Sequence, residues 1–207
     1  MNGKKITTIV FDIGGVLLDI HPERTYQYIS DSTDINIDVV KNRFPWDAHD
    51  EYERGNLTDK EWFFAFRDSL PQPCCLKEMD FWKGWSLLLG KEKETVKLLS
   101  VLSKSYSTWL LSNTNPKHIQ DEIEENYLFP SLVDGAIYSF DTRYRKPEKN
   151  IYSFLLKKSK TQPEQCVFID DLIENVETAR LVGMHAIHFI NYNLLLEELK
   201  DLGVHVL

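Results

Sequence analysis

Five short runs, apolar along most of their length, punctuate this chain of 207 residues: ITTIVFDI (6–13), STWLLSN (107–113), GAIYSF (135–140), CVFIDD (166–171) and AIHFI (186–190). A strand with one wet face alternates apolar and polar side chains; a strand covered on both faces has no reason to alternate. Runs of this kind therefore predict a buried parallel sheet. The segments between them read as helices with definable ends. Asn115-Pro116 offers a capping amide and a first-turn proline ahead of KHIQDEIEEN. Pro147 opens EKNIYSFLLKKSK, with Ile151, Phe154 and Leu155 on one side. LIENVETARLVG carries Ile173, Val176 and Ala179 on one side and stops at Gly183, a residue suited to a left-handed cap. Strand-helix alternation implies right-handed crossovers and a doubly wound α/β fold.

The interval from Ile20 to Leu89 breaks this rhythm. It holds no convincing strand but several helical patterns, among them TDKEWFFAFRDSL, where Thr58 and Glu61 are spaced as a capping box. Trp46, Trp62, Trp82 and Trp85, four of the five tryptophans, lie here, so a helical insertion after the first strand is expected. The net charge of −8 and the lack of a long basic run argue against a nucleic-acid groove. No apolar run approaches the ~20 residues that cross a bilayer, so no membrane partner is expected. The N-terminus runs straight into a β-rich stretch without a signal-peptide cleavage pattern. Three cysteines, Cys74, Cys75 and Cys166, show no metal-binding spacing and fit a reducing cytoplasm.

In doubly wound sheets, ligands bind beyond the carboxyl ends of the strands. Four of the expected strands end there in chemistry-bearing residues: Asp12; Ser112 with Asn113; the DTRYRK loop ending at Lys146; and Asp170 with Asp171. An acid, a hydroxyl, a lysine and paired acids are the parts that hold a phosphate beside a divalent cation.

In order and spacing, FDIGGVLLD, LLSNTN, RKPEKNIY and VFIDDLIENVETARLVG resemble the four motifs of the haloacid dehalogenase superfamily, and specifically its phosphatase-like members with a helical cap after the first strand. The resemblance covers almost the whole chain. It implies an α/β core formed by 1–19 and 90–207, with residues 20–89 as the cap. It implies a phosphoric monoester hydrolase in which Asp12 attacks phosphorus and forms an aspartyl phosphate. Magnesium would be held by Asp12, the Gly14 carbonyl and Asp171 directly, with Asp170 behind. Gly14 and Gly15 would bring backbone amides close to phosphate, Ser112 would donate its hydroxyl with the Asn113 amide alongside, and Lys146 would reach both phosphate and Asp12. Asn175, one helical turn past Asp171, would orient that acid or a metal-bound water.

One position departs from the pattern. The phosphatases usually carry a second acid two residues after the nucleophile, where this chain has Gly14. General acid catalysis is worth ~10²–10⁴, so its loss weighs most on poor leaving groups. Asp19, His21 and Glu53, the last in YERGNLTDKEW, are the candidates to replace it. The expected activity is removal of phosphate from a small phosphorylated metabolite, a sugar phosphate above all. The alternatives are a weak or inactive protein of this fold that binds or regulates, and, behind that, a haloacid dehalogenase that needs no magnesium. Trp46, Tyr52, Arg54 and Arg143 are candidates for lining the substrate pocket, Arg54 and Trp46 foremost; Trp62, Trp82 and Trp85 read as helical core. A monomer or weak homodimer is expected.

Overall fold

The computed structural model describes residues 5–206. Five parallel strands form the main sheet in the order β5-β4-β1-β6-β7: β1 (Thr8–Phe11), β4 (Ser107–Ser112), β5 (Gly135–Tyr138), β6 (Cys166–Asp170) and β7 (His185–His188). Each lies on a run that the sequence marks as a strand. The interior strands are buried on both faces. Ile9 and Phe11 of β1, with Val167 and Ile169 of β6, face a cluster completed by helices α6 (Thr95–Leu102) and α11 (Tyr192–Asp201). Val10, Cys166 and Phe168 point the other way, onto α9 (Lys149–Ser159) and α10 (Ile173–Leu181). This period-2 division explains why polar residues are scarce in β1 and β6: neither face meets water.

Between Ile20 and Leu89 lie five helices: α1 (Pro22–Thr33), α2 (Ile37–Asn42), α3 (Trp46–Glu53), α4 (Asp59–Ser69) and α5 (Glu78–Ser86). They bury a cluster of their own, with Ile29, Phe44, Tyr52, Trp62, Phe66, Phe81 and Trp85 at its centre. Trp62 lies edge-on to Phe66 and Trp85 and stacks on Tyr52, so aromatic contacts dominate this core. The Thr58–Glu61 capping box opens α4 as its spacing predicts.

The unit is entered and left through a two-stranded antiparallel ribbon of β2 (Leu18–Ile20) and β3 (Leu89–Glu92) that the sequence does not announce. Gly90 makes the close approach possible, since a Cβ there would lie 2.7 Å from the His21 ring and 2.8 Å from Asp19 Cβ. Two further boundaries differ from the sequence expectation. The run 135–140 leaves the sheet at Tyr138 and turns into the short α8 (Ser139–Thr142). The segment after Asn115-Pro116 forms a π-helix at His118–Ile123 before its last turn, α7 (Glu124–Asn126), while Asn115 caps as expected, its Oδ1 accepting from the His118 N–H at 3.0 Å.

Candidate active site

Parallel pairing in register brings the carboxyl ends of β1, β4 and β6 to one edge. Phe11 pairs with Leu110 and with Ile169, and the Asp12 N–H donates to the Ile169 carbonyl at 2.9 Å, so Asp12 and Asp170 leave the sheet side by side. Among the described residues, Asp12, Asp170 and Asp171 each offer a carboxylate oxygen, all within 4.8 Å of one another.

Lys146 Nζ sits between two of these acids, 2.7 Å from Asp12 Oδ1 and 2.6 Å from Asp170 Oδ2, and is buried with them. Burial pushes the Asp12 carboxyl up to about 7, with Lys146 pulling it down and Asp170 pushing it up. Burial alone would lower the Lys146 ammonium, but the two carboxylates outweigh it and hold the group above its ordinary value. Asp171 is raised by burial and then by Asp170. Three acids thus crowd around one buried ammonium that contacts two of them, an arrangement that calls for a further cation.

Asp170 and Asp171 part company as neighbours on an extended segment must. Asp170 is fully buried and accepts from the Leu172 N–H at 2.8 Å and from Asn175 Nδ2 at 2.9 Å. Asp171 faces a cavity of about 870 Å³. Asn175 therefore orients Asp170, not Asp171 as the spacing implied. Gly15 lies in the left-handed region at φ 73°, and a Cβ there would fall inside the Asp171 carboxylate; both facts demand glycine.

Gly14, Gly15, Ser112 and Asn113 line the same cavity. The Asn113 side chain, however, is engaged with Lys146: its Oδ1 accepts from the Lys146 N–H at 2.8 Å and its Nδ2 donates to the Lys146 carbonyl at 2.9 Å. Its amide is thus a clasp on the lysine backbone rather than a free partner for phosphate.

The far half of the cavity is walled by the helical unit: Trp46, His49, Glu53 and Trp85, with Asp19, His21 and His118 at the ribbon and core side. Trp46 is 65% exposed and packs on Phe44 at 4.5 Å. Trp85 is both part of the helical core and a wall of the cavity. Burial lowers the His49 imidazole and takes His118 down to about 4.

Three expected pocket residues lie elsewhere. Arg54 turns away to pair with Asp50 at 2.7 Å and with Glu148, and it donates to the Arg143 carbonyl at 3.1 Å. Arg143 donates to the Gly55 carbonyl at 2.7 Å and to Asn56. Tyr52 is fully buried and donates to Asp59 at 2.8 Å. The arginines tie α3 to the loop that carries Lys146. The cavity arginine is instead Arg145, which pairs with Asp50 and, at 2.6 Å, with Glu53. Its only sequence signal is its place beside Lys146, which sends its side chain the other way.

A family model for haloacid dehalogenase-like hydrolases matches residues 6–183. The chain belongs to this family. Among curated proteins, it is similar to a D-ribitol-5-phosphate phosphatase of Bacteroides thetaiotaomicron, 28% identical over 188 residues that cover 86% of this chain and 89% of the relative. It is also similar to a sesquiterpene phosphatase of Aspergillus oryzae, 24% identical with 93% and 94% of the two chains covered. A solved haloacid dehalogenase family enzyme of Bacteroides thetaiotaomicron, in complex with magnesium and inorganic phosphate, has the same fold at a TM-score of 0.81. It is 22% identical, with 92% of this chain and 98% of that chain covered. The chain is thus a hydrolase of this family with curated relatives that are phosphatases.

Proposed function

We propose that this hydrolase is a magnesium-dependent phosphatase for a small phosphorylated metabolite, a sugar phosphate or the corresponding polyol phosphate, working through an aspartyl phosphate on Asp12. The observation that carries the reading is the placing of Asp12 at the floor of the cavity, in contact with Lys146 and within ligand distance of Asp171. The relatives that act on phosphate esters support it.

The donor set fits magnesium: all-oxygen, with more carboxylate charge than Lys146 neutralises. Asp12, the Gly14 carbonyl and Asp171 would hold the ion, with Asp170 fixing Lys146 and the turn behind. Bound there, magnesium supplies positive charge to the transferring phosphoryl group. The chain's own residues do the rest. An Asp12 oxygen forms the new bond to phosphorus as the ester oxygen departs, and water later cleaves the acyl phosphate, returning Asp12 and releasing phosphate. Lys146 and the Ser112 hydroxyl take up charge on the phosphoryl oxygens. The departing oxygen needs a proton that position 14 does not supply; Asp19, His21 and Glu53 all reach the cavity wall. Residues 20–89 act as the cap over a core of 1–19 and 90–207, excluding water during the transfer.

The test is a panel of metabolite phosphates with magnesium or with chelator, comparing wild type with Asp12→Asn. Phosphate release should vanish in chelator and fall about a thousandfold or more in the variant. Release that survives in Asp12→Asn would remove the nucleophile. A wild type inert toward every ester would favour a binding role.

A further inference from the structure

The geometry points to Asp50 of α3 as a positioning residue for Lys146. Acting through Arg145, it fixes the 143–148 loop, so that the lysine stands over Asp12 only while α3 is docked. The inference rests on the phosphatase reading for what Lys146 does, and adds what holds it there.

Lys146 is held from two sides. On the sheet side, Asn113 grips its backbone N–H and carbonyl. On the other side, α3 and its C-terminal Arg54 take hold of the loop at residues that bracket the lysine. Arg145 pairs with Asp50 and, at 2.6 Å, with Glu53. Arg54 pairs with Glu148 and donates to the Arg143 carbonyl at 3.1 Å. Asp50 joins the two guanidiniums: its Oδ1 takes Arg145, and its Oδ2 accepts from Arg54 Nε at 2.7 Å. Burial would raise the Asp50 carboxyl, but Arg54 and Arg145 outweigh it and hold the group below its ordinary value. Asp50 makes no hydrogen bond or ion pair with Lys146 itself, so its influence on the lysine passes through Arg145.

The loop backbone carries the second observation. Arg143 has φ 67°, in the left-handed region that residues with side chains rarely adopt. Its side chain is tied to the Gly55 carbonyl at 2.7 Å and to Asn56, both just past the end of α3. Gly55, at φ 68°, sits so close to the loop that a Cβ would fall 2.5 Å from the Phe140 carbonyl oxygen. A loop kept in a costly conformation by outside contacts relaxes when those contacts part. Lysine offers a point charge on a long flexible stem, so where its charge lies depends on where its backbone is fixed. Neutralising Asp50 leaves Arg145 with Glu53 alone and cuts the link between the two arginines.

The experiment compares wild type, Asp50→Asn, Lys146→Met and the double variant, with magnesium and p-nitrophenyl phosphate. Asp50→Asn should lower kcat about tenfold, short of the roughly hundredfold that a misplacement of ~1 Å can cost. In the Lys146→Met background the same change should cost less than about twofold, because the group it acts through is gone. Asp50→Glu, which keeps the charge, should lose less than Asp50→Asn. Lys146 is also followed without turnover, by mass spectrometry after brief treatment with acetic anhydride. Buried and paired in wild type, it should acetylate about tenfold faster in Asp50→Asn, while the exposed Lys157 keeps its rate. Equal losses in the two Lys146 backgrounds would overturn the inference. So would a Lys146 acetylation rate that Asp50→Asn leaves unmoved. Should Asp50→Asn fail to fold, Arg145→Gln cuts the same link from the loop side and carries both readouts. Failure of the phosphatase reading shows separately: wild type would release no phosphate even from acetyl phosphate. The acetylation rate then decides the inference, as it does if Lys146→Met is too slow to assay.

Discussion

Lys146 illustrates how a single side chain is placed by residues remote in sequence. Its backbone is gripped on both polar groups by the Asn113 amide, and its ammonium is shared by Asp12 and Asp170. The acids and the lysine were legible because each ends a strand or follows one in a motif. The partners of those residues were not, because an amide such as Asn113 or Asn175 serves equally well facing a ligand or a neighbour. His118 is a similar case, an isolated imidazole in the sequence that the fold buries, parallel to Trp85 at 5.2 Å with Nε2 3.1 Å from the Trp85 carbonyl. Its pKa falls from 6.5 to about 4 on folding. The folded protein therefore refuses a proton that the unfolded chain accepts, so stability is full above 6.5 and lost as pH drops toward 4. The slope is at most about 1.4 kcal/mol per pH unit. His118→Gln should flatten this loss, read as a smaller difference between urea midpoints at pH 7 and pH 5. Equal differences for variant and wild type would show that the site opens to water before it titrates.

At the scale of elements, long periodic segments declared themselves and short polar ones did not. The start of α4 was readable because Thr58 and Glu61 bond reciprocally: the Thr58 Oγ1 accepts from the Glu61 N–H at 3.3 Å and Glu61 Oε2 accepts from the Thr58 N–H at 2.8 Å. Thr58→Ala should cost about 1 kcal/mol in urea unfolding without changing the cooperativity; no loss would mean that packing of Trp62 and Phe66 alone holds this helix end. The ribbon of β2 and β3 escaped notice because three and four residues carry too little alternation to register, and LGKE is half polar. Its pairing is settled by tertiary contacts, with His21 and Asp19 laid against Gly90.

Across the whole molecule, three hydrophobic clusters are joined, two of them against opposite faces of the sheet and the third across a polar seam. The aromatic helical unit holds that third cluster, and charged groups from α3 and the 143–148 loop join it to the sheet and its helices. Arg54 and Arg143, candidates for the substrate pocket on the strength of their hydrogen-bonding forks, belong to this seam; from sequence alone an arginine gives no sign of which carboxylate it will find. Both partners of the Arg54–Glu148 pair are partly exposed, at 22% and 39%, so the pair contributes about 1 kcal/mol or less. Arg54→Met should leave global stability nearly intact yet speed hydrogen exchange in α3 relative to the sheet. Unchanged exchange in α3 would assign its order to the aromatic core. The carboxyl edge of the sheet was predictable as the place of chemistry, whereas the wall above it was not, because that wall is assembled from helices whose docking the sequence does not encode locally.

The glycine that replaces the usual second acid has a neighbour with a stake in the matter. A Cβ at Gly14 would come within 3.3 Å of Ile20 Cγ1, at the end of β2 where the chain crosses into the helical unit. An aspartate placed there would press on the Ile20 side chain by a few tenths of an ångström. The effect of a side chain at 14 is therefore expected to depend on the one at 20: Gly14→Asp should cost less stability beside Ile20→Ala than beside the native isoleucine, read as the difference in urea midpoints.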